Sequence, residues 1–264
     1  MSPKRVVCLL SRRRGLLQLE GIDSMMEGTM KITNANLIRL AGLSAVIGGL
    51  CYVVVGIFHP ANSPASVTTT TWGVVHVFAG AMAFFGVLGL VGIYARQARK
   101  AGWLGLVGFI LLSFWFVLIA GFSFVEAFVL PQIATATPAF VDGWMKMFNG
   151  GTSSIGMGVL PTLWTLSAPL YILGGLVFGI ATFRAHILPR AAAVLLAVST
   201  VIAPLGAKLS LTAVPKIAIP MGIALAWLGF ALMTERRTAA AERDNQIPAP
   251  ADELQQAKER KQAA

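Results

Sequence analysis

Charge is scarce in this sequence. Aspartate, glutamate, lysine and arginine make up 12% of the 264 residues, against roughly 25% in an ordinary soluble domain. So few charges cannot clothe a globule of this length in water, which excludes a free-standing soluble fold. Cysteine is nearly absent as well. Cys8 and Cys51 stand alone, which excludes a disulfide framework and any CxxC metal or redox element. The apolar segments show none of the polar–apolar alternation of a membrane β-barrel strand. There is no phosphate-binding loop for ATP hydrolysis, no GxSxG nucleophile turn, no pair of mid-span carboxylates and no mid-span lysine; Lys208 lies near a span end, where its stem can snorkel to water. The stretch Val6–Leu10 is too short for the apolar core of a secretory signal, and Arg12, Arg13 and Arg14 follow it directly.

What the chain does have is apolar length. Hydrophobic residues make up 56% of it and the mean hydropathy is +0.74. A helix needs about 20 apolar residues to cross a bilayer, and six segments qualify, at about 37–58, 72–94, 102–125, 159–183, 191–207 and 217–233. The expected fold is all-α: a polytopic bundle of about six transmembrane helices over 37–233. A basic segment, 1–36, precedes it and contains Met25, Met26 and Met30 as alternative starts. A charged tail, 234–264, follows it, expected to be disordered because it has no apolar period and is interrupted by Pro248 and Pro250.

The net charge of +10 would point to nucleic acid in a soluble protein. Here the basic residues lie between and outside the apolar runs, where they meet anionic lipid heads instead. Eighteen of the 21 lysines and arginines fall on one side of the predicted topology; only Lys146, Lys208 and Lys216 fall on the other. The positive-inside rule then puts both termini in the cytoplasm, in an inner (plasma) membrane protein. The expected partners are the bilayer, a small-molecule ligand, and a second membrane protein or a second copy of the chain; nucleic acid is not among them.

The outer loop, 128–158, contains Phe140, Val141, Trp144, Met145 and Phe148 at helical spacing, with Asp142 and Lys146 between them. That pattern fits an interfacial helix or a lid of packed loop.

Short motifs close the first three spans: Gly-Ile-Phe-His59-Pro60, Gly-Ile-Tyr-Ala-Arg-Gln and Val-Glu126-Ala-Phe-Val-Leu-Pro131. Over roughly Leu37 to Met233 the chain resembles uncharacterised bacterial six-helix integral membrane proteins. The resemblance implies a six-helix bacterial membrane fold and assigns no functional residue.

Ionisable residues within or beside the spans are few, and in a bilayer such residues mark candidate sites by default. His59 ends the first span, with Ala45, Gly49, Tyr52 and Gly56 on its face. His76 lies in the second turn of the next, with Gly73, Gly80 and Ala83 on its face. Glu126 closes the third, one turn after Ser123. Small residues beside the histidines predict helix–helix contact, so His59, His76, Glu126 and Tyr52 are expected to form an outward-facing ligand-binding pocket, with Thr162, Thr165 and Ser167 on its other side. The bland alternative is a satisfied structural clasp near the membrane surface. Two histidines and a carboxylate could also bind zinc, but the spacing has no HxxxH or ExxH element, so neither metal nor any other cofactor is expected. Three functions follow in order: binding or transport of a small ligand or proton, a non-catalytic accessory or regulatory subunit, and a metal- or haem-binding membrane enzyme.

Overall fold

The computed structural model describes residues 33–205 and 214–246, with backbone alone at 205, 214 and 235–246. The expectations for residues 1–32, for Lys208 and for 247–264 lie outside the described residues. The chain divides into two units after Leu37. In the first, Thr33 starts a helix: its hydroxyl accepts the Asn36 N–H at 3.2 Å and its carbonyl accepts that of Leu37 at 3.0 Å.

The described residues are mostly helical and contain no strand. Helix α1 runs Asn34–Phe58, α2 Pro64–Val67 and α3 Thr70–Phe124; a π-helical turn at Val125–Val129 leads into α4, Leu130–Ile133. Then come α5 at Pro138–Phe148, α6 at Leu160–Ala185, α7 at Arg190–Leu205, α8 at Val214–Ile217 and α9 at Ile219–Gln246. Four of the helical stretches are long and apolar enough to cross a membrane: Asn34–Phe58, Thr70–Ile133, Leu160–Ala185 and Pro215–Thr234. Arg190–Pro204 is a shorter apolar helix. Large apolar side chains project outward from all of them, among them Leu50, Phe84, Ile110, Leu173, Val194 and Phe230. Water does not tolerate so much exposed apolar surface; this is a membrane protein.

Arg96, Arg99 and Lys100, expected in a loop, are helical. Both residue types are good helix formers, and the reversal needs only Gly102, whose φ of 56° and ψ of −151° suit glycine alone. At this residue α3 folds back on itself. Tyr94 stacks on Phe109 with ring centroids 5.1 Å apart, Gly86 receives the ring of Phe116, and Trp72 reaches Glu126. These pairings describe an antiparallel hairpin. α9 also continues beyond the predicted span end to Gln246, into the segment expected to be a charged tail.

Glycine governs how close the helices come. α1 and α9 run antiparallel along a ladder whose α1 rungs are seven residues apart: Gly42 faces Gly229, Gly49 faces Gly222 and Gly56 faces Ile219. A Cβ at any of these α1 glycines would strike α9 atoms. On another face of α1, Gly48 meets the backbone of Gly86, Gly89 meets Ala45 and Gly92 meets Ala41. Gly108 and Gly174 join α3 to α6, and Gly175 and Gly179 receive Thr200 and Ala197 of α7. The contact expected of Gly73 and Gly80 is not found: a Cβ at either would meet nothing within 4 Å. The buried positions around them are Trp72, Val75, His76, Ala79, Met82 and Ala83, so the small-residue contact lies on a neighbouring stripe. Of the aromatics in the second arm, Phe114 and Phe124 face outward, while Trp115, Phe116 and Phe122 are core.

Candidate functional site

Proline explains the local backbone at Glu126. In an unbroken α-helix the Glu126 carbonyl would accept from Leu130, and that of Ala127 from residue 131. Residue 131 is proline and has no N–H. The helix widens here instead, and the Leu130 N–H bonds to the Val125 carbonyl, five residues back. The widened turn leaves the Glu126 carbonyl without a backbone donor on either count. Trp72 takes that role: its indole N–H donates to the Glu126 carbonyl at 2.8 Å across the hairpin. Single π turns of this kind are frequent at functional sites.

The side chain of Glu126 is then held from two directions. Its Oε1 accepts the indole N–H of Trp144 on α5 at 3.2 Å, and its Oε2 lies 3.4 Å from Nε2 of His76. His76 and Glu126 are 2% and 5% exposed, so both side chains are almost wholly enclosed. Nδ1 of His76 donates to the Trp72 carbonyl at 2.8 Å, and the two rings lie 4.1 Å apart. His59 completes the group. Its ring centroid is 5.1 Å from that of His76, its Nδ1 donates to the Pro60 carbonyl at 2.8 Å, and it is only partly buried. Desolvation holds the His59 imidazole below its ordinary pKa, against the opposing effect of the Pro60 carbonyl.

Three of the four expected site residues therefore meet. Tyr52 does not join them: its hydroxyl hydrogen-bonds that of Tyr171 at 3.3 Å, and its ring stacks on Trp115. Seven residues separate Tyr52 from His59, about 10 Å along a helix, and at that depth its neighbour is α6. Thr165 and Ser167 spend their hydroxyls on the carbonyls of Pro161 and Trp164.

Sequence reasoning missed both tryptophans as partners of Glu126. The signal available was Pro131, five residues after Glu126, which predicts an orphan carbonyl in that turn. It also missed Gln97, whose amide donates to Thr182 at 2.7 Å in the buried contact between α3 and α6. The loop pattern around Trp144 resolves into the helix α5, whose buried face is Val141, Trp144, Met145 and Met147 and whose Asp142 and Lys146 pair in the open at 2.7 Å. Asn149 ties its end to the Asn62 carbonyl at 2.8 Å. Trp144 also packs in an aromatic cluster with Phe122, Phe140 and Phe148.

Two cavities lie beside the site. One, of about 450 Å³, is bounded by Gly143, Ser153, Met157 and Thr165. The other, of about 780 Å³, is almost wholly apolar and includes Val125, Phe140 and Trp144. Neither is lined by His59, His76 or Glu126. Among the described residues no three His, Cys, Asp or Glu side chains are placed to hold a metal ion together. No protein-family model, curated protein or solved structure matches this chain.

Proposed function

We propose that this chain is a multi-pass protein of the bacterial inner (plasma) membrane that binds a small ligand or a proton at an outward-facing polar site built from His59, His76 and Glu126. The observation that carries the binding role is the buried His76–Glu126 pair, 3.4 Å apart, with a partly exposed histidine against it. Burying two ionisable groups costs several kcal/mol unless they satisfy each other, so in a bilayer they default to a functional role.

The topology proposed with it has six crossings: α1, the two arms of α3, α6, α7 and α9 with α8. The fold-back at Gly102 supports counting α3 twice. The eighteen-to-three division of basic residues supports cytoplasmic termini. With Cys8 and Cys51 replaced by alanine, Ser154→Cys should react with an impermeant thiol reagent on whole cells, whereas Lys100→Cys should react only after lysis. The opposite pattern would invert the orientation.

The site itself is tested by a double-mutant cycle. Glu126→Gln and His76→Asn should couple in thermal or denaturant stability by about 1 kcal/mol or more, as groups in one network do. A second reading, an accessory subunit in which the pair is only a clasp, draws support from the tight enclosure of both side chains. The clasp predicts a coupling that no added ligand changes. A binding site predicts a stabilisation by added ligand that either substitution abolishes, even where the unliganded protein stays stable. Additivity within about 0.5 kcal/mol would mean that the residues do not act together.

A further inference from the structure

The hydrogen bonds around the site fix where its protons are. A carbonyl oxygen only accepts, so the bonds to the Pro60 and Trp72 carbonyls require that Nδ1 of His59 and Nδ1 of His76 each carry a proton. Nε2 is therefore the one nitrogen of each ring free to gain or lose a proton. An indole N–H only donates, so the bond from Trp144 assigns Oε1 of Glu126 as an acceptor. Any proton on Glu126 sits on Oε2, the oxygen that faces Nε2 of His76 at 3.4 Å. Two lone pairs pointed at each other in a buried place repel, whereas one proton between them satisfies both. The pair is then neutral overall, as neutral imidazole facing a carboxylic acid or as imidazolium facing a carboxylate.

The surroundings leave little room for anything larger. His76 and Glu126 are enclosed almost completely, and neither adjacent cavity opens onto them. Among the described residues, His59 is the partly exposed ionisable group whose ring lies against the pair, 5.1 Å from that of His76. We infer that the occupant of this site is a proton, held between His76 Nε2 and Glu126 Oε2 and exchanged with water through His59 Nε2. This rests on the binding role proposed above and narrows its ligand to a proton.

Loading balances as follows. Hydronium at the surface protonates His59 at Nε2 and leaves water. That proton passes into the gap between Nε2 of His76 and Oε2 of Glu126, which the two then share. His59 returns to neutral, and the pair, a neutral imidazole facing a carboxylate when empty, gains one positive charge and becomes neutral overall. Unloading runs the same steps backwards. Few other charges bear on the site among the described residues. Helices α2 and α4 contribute no ionisable side chain. On α5, Asp142 and Lys146 neutralise each other, both over 40% exposed. Lys216 of α8, which packs beside Gly56 of α1, points to the open.

The test uses the full chain in lipid nanodiscs. Nitrogen-15 spectra of labelled histidine in the unaltered protein should show His59 and His76 protonated at Nδ1 near neutral pH, the minority form of free histidine. Glu126→Gln should shift the His76 Nε2 resonance. After a pH jump, an infrared difference signal that vanishes in Glu126→Gln should report loading. His59→Asn, whose amide can still donate to the Pro60 carbonyl, should slow that signal about 100-fold, the lower end of what a positioned proton donor supplies. A His76 protonated at Nε2 but not Nδ1, or an exchange rate indifferent to His59→Asn, would overturn the proton assignment while leaving a coupled binding site standing. Should the Glu126–His76 cycle also prove additive, the binding role would fall with it.

Discussion

Gly49→Leu should prevent the bundle from closing. The ladder between α1 and α9 brings backbone against backbone, and a Cβ at Gly49 would overlap the carbonyl of Gly222 and the backbone of Ala226. A flexible side chain could move aside; a helix backbone cannot without separating the two elements. Overpacked cores lose about 1–3 kcal/mol and occasionally more, and a contact of this kind belongs at or above the upper end. The expected result is loss of monodisperse protein on size exclusion, or a midpoint lowered by about 3 kcal/mol or more where some protein folds. Gly73→Leu is the control. A Cβ there meets open space, so its effect should stay within the few tenths of a kcal/mol typical of a surface change. Comparable damage from the two substitutions would mean that the ladder is not what holds α1 to α9.

Trp72→Phe should cost about 1–3 kcal/mol, the penalty for leaving a buried carbonyl without a donor. The phenyl ring keeps most of the packing but lacks the N–H that bonds the Glu126 carbonyl. Because the orphan arises from Pro131, the loss should depend on that proline. Pro131→Ala restores an N–H that can reach the same carbonyl five residues back, so in that background Trp72→Phe should lose less than half as much. Denaturant unfolding of the four proteins in the cycle decides the point. An equal loss in both backgrounds would show that Trp72 matters through its ring and not through its N–H.

These two contacts mark what could and could not be read from the sequence. The apolar runs give the helices, since only a helix or a closed barrel satisfies its backbone in lipid, and the runs lack the alternation of a barrel. The hairpin tip was harder to see. Arg96 to Lys100 look like a loop by charge, yet the reversal is made at Gly102 by dihedral freedom, which composition does not display. His59, His76 and Glu126 could be grouped because all three close or open spans at the same end. Tyr52 was misplaced because sharing a face with His59 says nothing about depth, and about two turns further down it meets Tyr171 instead. Gly73 and Gly80 show the same limit: a stripe of small residues permits close approach without saying which helix, if any, approaches. Trp144 lay beyond reach for another reason. Its bond to Glu126 joins elements eighteen residues apart through a helix that was only one of two readings of the loop.

The single-residue reversal at Gly102 also bears on how the protein is made. A translocating machine that releases helices into lipid one at a time needs slack between them, and here there is none. In the six-crossing topology proposed above, only the helical turn carrying Arg96, Arg99 and Lys100 separates the two arms, and the reversal itself takes one residue. That proposed topology has the two arms enter as a closed hairpin, with Arg96, Arg99 and Lys100 near its tip and Trp103, 80% exposed, just past it. Biogenesis would then treat residues 70–133 as one piece of cargo, and an inserted spacer at Gly102 would divide that piece into two separate integration events.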